Sequence, residues 1–164
     1  MFKTNNLGGW IIPAEAEIPA KTKIPSYSEI GDRCEIGNRC TIGNRCTIGY
    51  GCEIGDGCTF GDGCIIGYGY TIGNRCTIGD GCKIGYDCTI GDGCTWLGVK
   101  VKSWLTLANV DGSNRQIKIV RSDEGEIKIE AGCFIGTLDE FIAKAKSEGK
   151  LRYVAVISAI AEHV

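Results

Sequence analysis

The stretch Cys34-Glu35-Ile36-Gly37-Asn38-Arg39-Cys40-Thr41-Ile42-Gly43-Asn44-Arg45-Cys46-Thr47-Ile48-Gly49 is one six-residue unit written almost three times over. Isoleucine keeps the same beat downward through Ile30, Ile24 and Ile18 to Ile12. Upward it runs through Ile54, Phe60, Ile66, Ile72, Ile78, Ile84 and Ile90 to Trp96. A strict period of six fits neither a 3.6-residue helix nor a two-residue strand. It is the signature of a hexapeptide β-helix, in which each unit forms one side of a triangular coil. Residues 12–95 hold fourteen units. That is about 4.7 coils and, at roughly 4.8 Å between stacked strands, a rod about 22 Å long.

Within each unit the Ile and the small residue two places before it point inward, and the residue between them points out. The small slot runs Ala16, Thr22, Ser28 and then cysteine almost unbroken from Cys34 to Cys94. Positions 18 apart stack, giving interior columns Ile12-Ile30-Ile48-Ile66-Ile84, Ile18-Ile36-Ile54-Ile72-Ile90 and Ile24-Ile42-Phe60-Ile78-Trp96. The glycine after each Ile opens a turn filled by Asp-Gly, Asn-Arg or Tyr-Gly pairs, where Gly and Asn tolerate φ > 0. Pro13, Pro19 and Pro25 replace that glycine in the first three units and suit an edge that needs no donor. A thin rod needs plugged ends, and Trp10 and Trp96 stand where the plugs belong. Tyr70 breaks the cysteine series. A phenol ring in that slot calls for a local packing change or a bulge.

The repeat over residues 12–96 resembles the left-handed parallel β-helix of the hexapeptide-repeat acyltransferase family. The left hand is implied by that resemblance alone. The family's members act as trimers, hold acyl-CoA in the groove between rods and use a rod histidine as general base. The only histidine in this chain is His163, near the C-terminus, and the repeats carry no insertion loop. No catalytic residue is therefore assigned, and CoA is a cofactor only on the acyltransferase reading. Asp87 could replace the base, but it occupies a regular turn slot.

The chain has 164 residues and net charge −2, which suits one rod and one small domain. The organisation expected is an N-terminal cap at 1–11, the β-helix at 12–96 and an α+β module at 97–164. No bulk basic character points to nucleic acid. Neither a signal peptide nor a membrane-spanning stretch is expected. Ten of the eleven cysteines fall in the inward slot, in-register neighbours lie too far apart for disulfides, and no histidine or carboxylate joins them to make a metal site. They read as buried free thiols, which points to a reducing cytoplasm.

Two outward features point to binding. Tyr50, Tyr68 and Tyr86 are 18 apart and stack on one edge. Such an edge is a self-supporting turn ladder, a subunit interface or a ligand platform. Arg33, Arg39, Arg45 and Arg75 stand at turn positions and read as solvated corners, or else Arg33, Arg39 and Arg45, on three successive corners, converge on an anion between the subunits of a trimer. The column Thr41-Thr59-Thr77-Thr95 resembles the face of an ice-binding β-helix, but the second outward threonine of such a strand is glycine here. Strand propensity explains it better.

After Trp96 the period stops. Residues 98–109 alternate, with Asp111-Gly112 as a turn. Gln116–Arg121 and Glu126–Glu130 read as a hairpin around Ser122-Asp123-Glu124-Gly125. Thr137-Leu138-Asp139-Glu140 is a capping box opening a helix that Gly149 ends, and Leu151–Val164 reads as a second helix. The module is expected to cap the rod and shield its last edge. Ile129 to Phe141 is similar to a module of small phage-encoded proteins, a resemblance that brings no activity. The function expected is non-catalytic assembly and binding: a homotrimer sequestering a small anionic or nucleotide-like ligand between rods. The alternatives are a CoA-dependent acyltransferase, or a structural virion or ice-binding rod.

Overall fold

The computed structural model describes residues 2–85, 87–110, 112 and 116–164. It divides into two units, Met1–Trp96 and Leu97–Val164. The first is a β-solenoid of about five coils. Each hexapeptide contributes a short strand, and strands one coil apart pair in parallel.

Face A stacks β2 (Trp10–Ile12), β5 (Glu29–Ile30), β8 (Thr47–Ile48), β11 (Ile65–Ile66) and β14 (Lys83–Ile84), with β1 (Lys3–Thr4) antiparallel to β2. Face B stacks β3 (Glu17–Ile18), β6 (Glu35–Ile36), β9 (Glu53–Ile54), β12 (Thr71–Ile72) and β15 (Thr89–Ile90). Face C stacks β4 (Lys23–Ile24), β7 (Thr41–Ile42), β10 (Thr59–Phe60), β13 (Thr77–Ile78) and β16 (Thr95–Trp96). The interior columns are those read from the sequence, in register throughout. Their isoleucines are buried except Ile90, which is half-buried. Each buried one contributes about 1.5–3 kcal/mol.

Two glycine columns do different work. At the glycine after each Ile the backbone of the coil beneath leaves no room for a Cβ: at Gly43 it would lie 2.3 Å from the Ser26 nitrogen. That glycine's N–H donates to the Ile carbonyl one coil down, as Gly31 does to Ile12 at 2.9 Å. The first coil has no coil beneath it, and there Pro13, Pro19 and Pro25 take the place. Proline there removes a donor that would have no acceptor and blunts the open end.

The positive φ falls two residues further on. Gly51, Gly57, Gly63, Gly69, Gly81 and Gly93 adopt it, but so do Glu15, Lys21, Tyr27, Arg33, Arg39, Arg45, Arg75 and Asp87. In the Asn-Arg corners it is therefore the arginine, not the asparagine, that is left-handed, at about 1–2 kcal/mol per residue. The asparagines and aspartates before them do something else. Asn38 Oδ1 accepts from the Asp56 N–H at 2.8 Å, Asp56 Oδ1 from Asn74 at 2.8 Å, and Asn74 Oδ1 from Asp92 at 2.9 Å. Ser26, Asn44 and Asp62 repeat the ladder on the next corner.

The cysteines are present as thiols, and nine of the ten in the rod are buried. They are more than small apolar fillers. Each thiol donates to the carbonyl 21 residues back: Cys58 to Gly37 at 3.3 Å, Cys82 to Gly61 at 3.2 Å. Several sulfurs also accept the N–H beneath, as Cys58 does from Cys40 at 3.3 Å. Tyr70 obeys the same rule, its hydroxyl donating to the Gly49 carbonyl from a fully buried ring. The accommodation is local. The Thr71 N–H to Cys52 carbonyl bond lengthens to 3.3 Å, and Cys88 one coil up is only half-buried.

At the rod's start Trp10 is half-buried with its ring 5.6 Å from Phe2, and Asn5 Oδ1 accepts from the Leu7 and Gly9 N–H groups. Trp96 is fully buried at the end of its column, paired with Ile78.

The second unit is an antiparallel meander of β17 (Val99–Ala108), β18 (Gln116–Ser122), β19 (Ile127–Ala131) and β20 (Phe134–Thr137), followed by α1 (Leu138–Ser147) and α2 (Leu151–Ala161). Ile117, Ile119 and Ile129 pack with Phe141, Ala145, Tyr153 and Ile157 as its core. The Thr137 capping box is complete, and Gly149 follows the first helix at φ +69°. The expected turn at 111–112 has Asp111 outside the described residues. β20 is a strand that the sequence reading does not set apart.

Candidate functional site

The three corners inherit their outward chemistry from the phase of the repeat. The corner joining faces A and B carries Asp32-Arg33, Tyr50-Gly51 and Tyr68-Gly69 in successive coils. Tyr50 and Tyr68 stack with centroids 5.4 Å apart and planes within 8°. The Arg33 guanidinium lies 5.4 Å from the Tyr50 centroid, donates to its hydroxyl at 2.9 Å and pairs with Glu15 at 3.4 Å. The lower face of Tyr50 thus meets Arg33 and its upper face meets Tyr68. What this corner offers outward is ring edges and hydroxyls, with Tyr68 well exposed. Tyr86 lies outside the described residues.

The corner joining B and C carries Lys21, Arg39, Gly57, Arg75 and Gly93 in its left-handed slot. The third holds Tyr27 and Arg45, whose guanidinium lies 6.0 Å from the Tyr27 centroid. Arg39 and Arg75 are exposed and two coils apart, roughly 10 Å. All four arginines lay their stems over the glycine one coil above: a Cβ on Gly51, Gly57, Gly63 or Gly93 would touch the Cγ of Arg33, Arg39, Arg45 or Arg75 at 3.4–3.8 Å. The structure therefore brings Arg33 to the tyrosines, sets Arg39 and Arg75 on a second corner and keeps Arg45 on a third.

Two features escaped the sequence reading. Glu17, Glu35 and Glu53 stack in register on face B, along a groove of about 560 Å³ that continues to Thr71. The coil-by-coil count that found the tyrosines would have found them too. In the second unit a cavity of about 60 Å³ lies among Phe134, Phe141, Ala145 and Tyr153. Glu148 sits at its edge and binds Lys144 at 2.7 Å and Lys150 at 2.6 Å. Those two ammonium groups hold the Glu148 carboxyl down at about 2.

The interior thiols are poor nucleophiles. Burial pushes Cys40, Cys52 and Cys88 up. In the Cys46–Cys64 contact the hydrogen bond raises Cys64 and draws Cys46 down to about 7. The sulfurs sit inside the rod with their S–H groups turned to backbone carbonyls, out of reach of an outside electrophile. Burial, first, and the nearby Cys52 also raise the Tyr70 phenol. Among the described residues no group of three or more His, Cys, Asp or Glu side chains is placed to hold a metal ion. No helix there is long and apolar enough to cross a membrane.

Fold and corners together define a hexapeptide-repeat β-solenoid whose aromatic and charged features stand on its outer surface. The family model of the GMPPB C-terminal domain matches residues 7–117, about two thirds of the chain. The chain belongs to that family. The match supports the repeat fold and does not extend to the acyltransferase or phage resemblances. No curated protein and no solved structure matches it.

Proposed function

We propose that this is a non-catalytic β-helix protein that works by assembly and binding. Its rods associate side by side and take a small anionic, nucleotide-like ligand between them. The observation that carries the reading is the division of the rod's chemistry. Its thiols point inward and donate to carbonyls, while Tyr68, Arg39 and Arg75 stand exposed on two corners. No histidine lies between residues 12 and 96 to act as a base. The proline-ended first coil disfavours growth from that end and leaves the flanks for association. In lateral contact the exposed corners border the grooves between rods, where a guanidinium beside an aromatic edge suits a phosphate. The buried free thiols suit a reducing compartment such as the cytoplasm.

The test is native mass spectrometry of reduced protein, followed by nucleotide titration of the wild type and a Tyr68→Ala/Arg39→Ala variant. An oligomer whose nucleotide uptake the double variant abolishes, with its melting curve retained, is expected. A bare monomer, or uptake unchanged in the variant, overturns the reading. Turnover of acyl-CoA would favour the acyltransferase alternative.

A further inference from the structure

We infer that face A is the surface on which one copy of this chain meets a second, the two rods antiparallel about a two-fold axis between the third and fourth coils. The inference rests on the assembly reading and names its partner and its surface.

Exposed apolar side chains on the rod are not scattered. Among the described residues of the rod five large ones are exposed, and all border this face. Ile11 and Ile65 stand at its centre line, Ile65 49% exposed. Tyr27 and Tyr68 stand on its two corners, and Leu7 lies in the turn between β1 and β2. Face B shows Glu17, Glu35, Glu53, Thr71 and Thr89, and face C shows Lys23 and threonines. An apolar cluster on one side of an otherwise polar rod marks a contact surface.

The charges choose the partner and its direction. From first coil to fifth, face A presents Ile11, Glu29, Thr47, Ile65 and Lys83. A two-fold axis across the rod reverses the coil order and sets each corner against the same corner of the other copy, so the second coil meets the fifth and the third meets the fourth. Glu29 then opposes Lys83, and Thr47 opposes Ile65. On the tyrosine corner Arg33 opposes Asp87, and Tyr50 opposes Tyr68. On the other corner Arg45 opposes Asp62. Three charged pairs match, each occurring twice; Asp32 also comes near Asp87, but its Oδ1 is turned inward to accept from the Tyr50 N–H at 3.0 Å. A parallel pair about an axis along the rod sets Glu29 beside Glu29 and Lys83 beside Lys83. Moving the axis down to the third coil sets Arg45 against Arg45. The antiparallel register between the third and fourth coils avoids both.

Sedimentation velocity and native mass spectrometry on the whole chain test this with Glu29→Lys, Lys83→Glu and the two combined. Both positions are exposed, so melting curves should stay close to that of the wild type. The wild type is expected to be a dimer. Each single reversal turns two attractions into repulsions and should weaken it about tenfold, and the combined swap should restore it. Ile65→Asp should weaken it without rescue by either charge change. A trimer, an oligomer indifferent to the reversals, or a swap that fails to restore association overturns the face assignment and leaves the assembly reading standing. A wild-type monomer at all concentrations overturns both.

Discussion

Replacing Gly61 with alanine tests whether coil spacing, rather than turn conformation, fixes the first glycine column. Gly61 does not take positive φ, so an alanine faces no backbone penalty of that kind. Its Cβ would lie 2.1 Å from Asn44 Oδ1 and 2.7 Å from the Asn44 nitrogen. The coil must lift by roughly 0.7 Å to reach ordinary contact, against the 2.7 Å bond from the Gly61 N–H to the Ile42 carbonyl. The 3.1 Å bond from the Asp62 N–H to Asn44 Oδ1 is lost as Asn44 turns away, at about 1 kcal/mol. Overpacking adds about 1–3 kcal/mol. The sum, about 2–4 kcal/mol, lowers the melting temperature by about 10 °C in a chain of this length. Gly57→Ala is the control. It sits at φ +67° with only the Arg39 stem nearby at 3.5 Å, and should cost about 1–2 kcal/mol. Thermal melts followed by circular dichroism read both. If Gly61→Ala melts within a degree of wild type, or Gly57→Ala proves the more damaging, the division of labour between the glycine columns is wrong.

Thiol accessibility follows from burial. Under native conditions Ellman's reagent should titrate Cys133 rapidly and Cys88 slowly, and all eleven cysteines once guanidinium unfolds the chain; fast native reaction of three or more would contradict the closed column. Glu148 should titrate near 2 in a carbon-detected NMR titration, and Lys144→Ala should move it up toward the ordinary carboxylate range. Because its folded value is depressed, its two ion pairs are intact above about pH 4.5 and fade as pH falls toward 2. A midpoint above 4 in the wild type would exclude both contacts.

The fold was legible because the interior obeys one rule without exception of phase: every sixth residue is large and apolar, and no other regular backbone repeats on that beat. The helices of the second unit were legible from Thr137 and Glu140, whose capping box is local. β20 was harder, since four residues running straight into that cap carry no period of their own. The corners were legible in composition but not in role. Nothing in an Asn-Arg pair says which residue is left-handed. That depends on the asparagine side chain reaching the N–H one coil on, which only the stacked coils provide. The same holds for Arg33: sequence puts it at a turn, and only the coil geometry brings Glu15 and Tyr50 within its reach. Tyr70 looked like a defect by size alone, yet its hydroxyl finds the carbonyl the thiols find.

The corner ladders limit how such a chain can change length. Core columns on all three faces are nearly alike, so duplicating a single hexapeptide would leave the interior packed. The corners would not survive it. Asn38, Asn44 and Asn74, the four corner arginine stems and the tyrosine stack each meet a partner one coil away, and one inserted hexapeptide turns everything above it by one side of the triangle. Arginine stems below the insertion would then face residues other than the glycines that make room for them. A gene encoding this rod can therefore grow or shrink quietly only by whole coils. Relatives of different length should differ by complete sets of three hexapeptides between the prolines and the closing tryptophan.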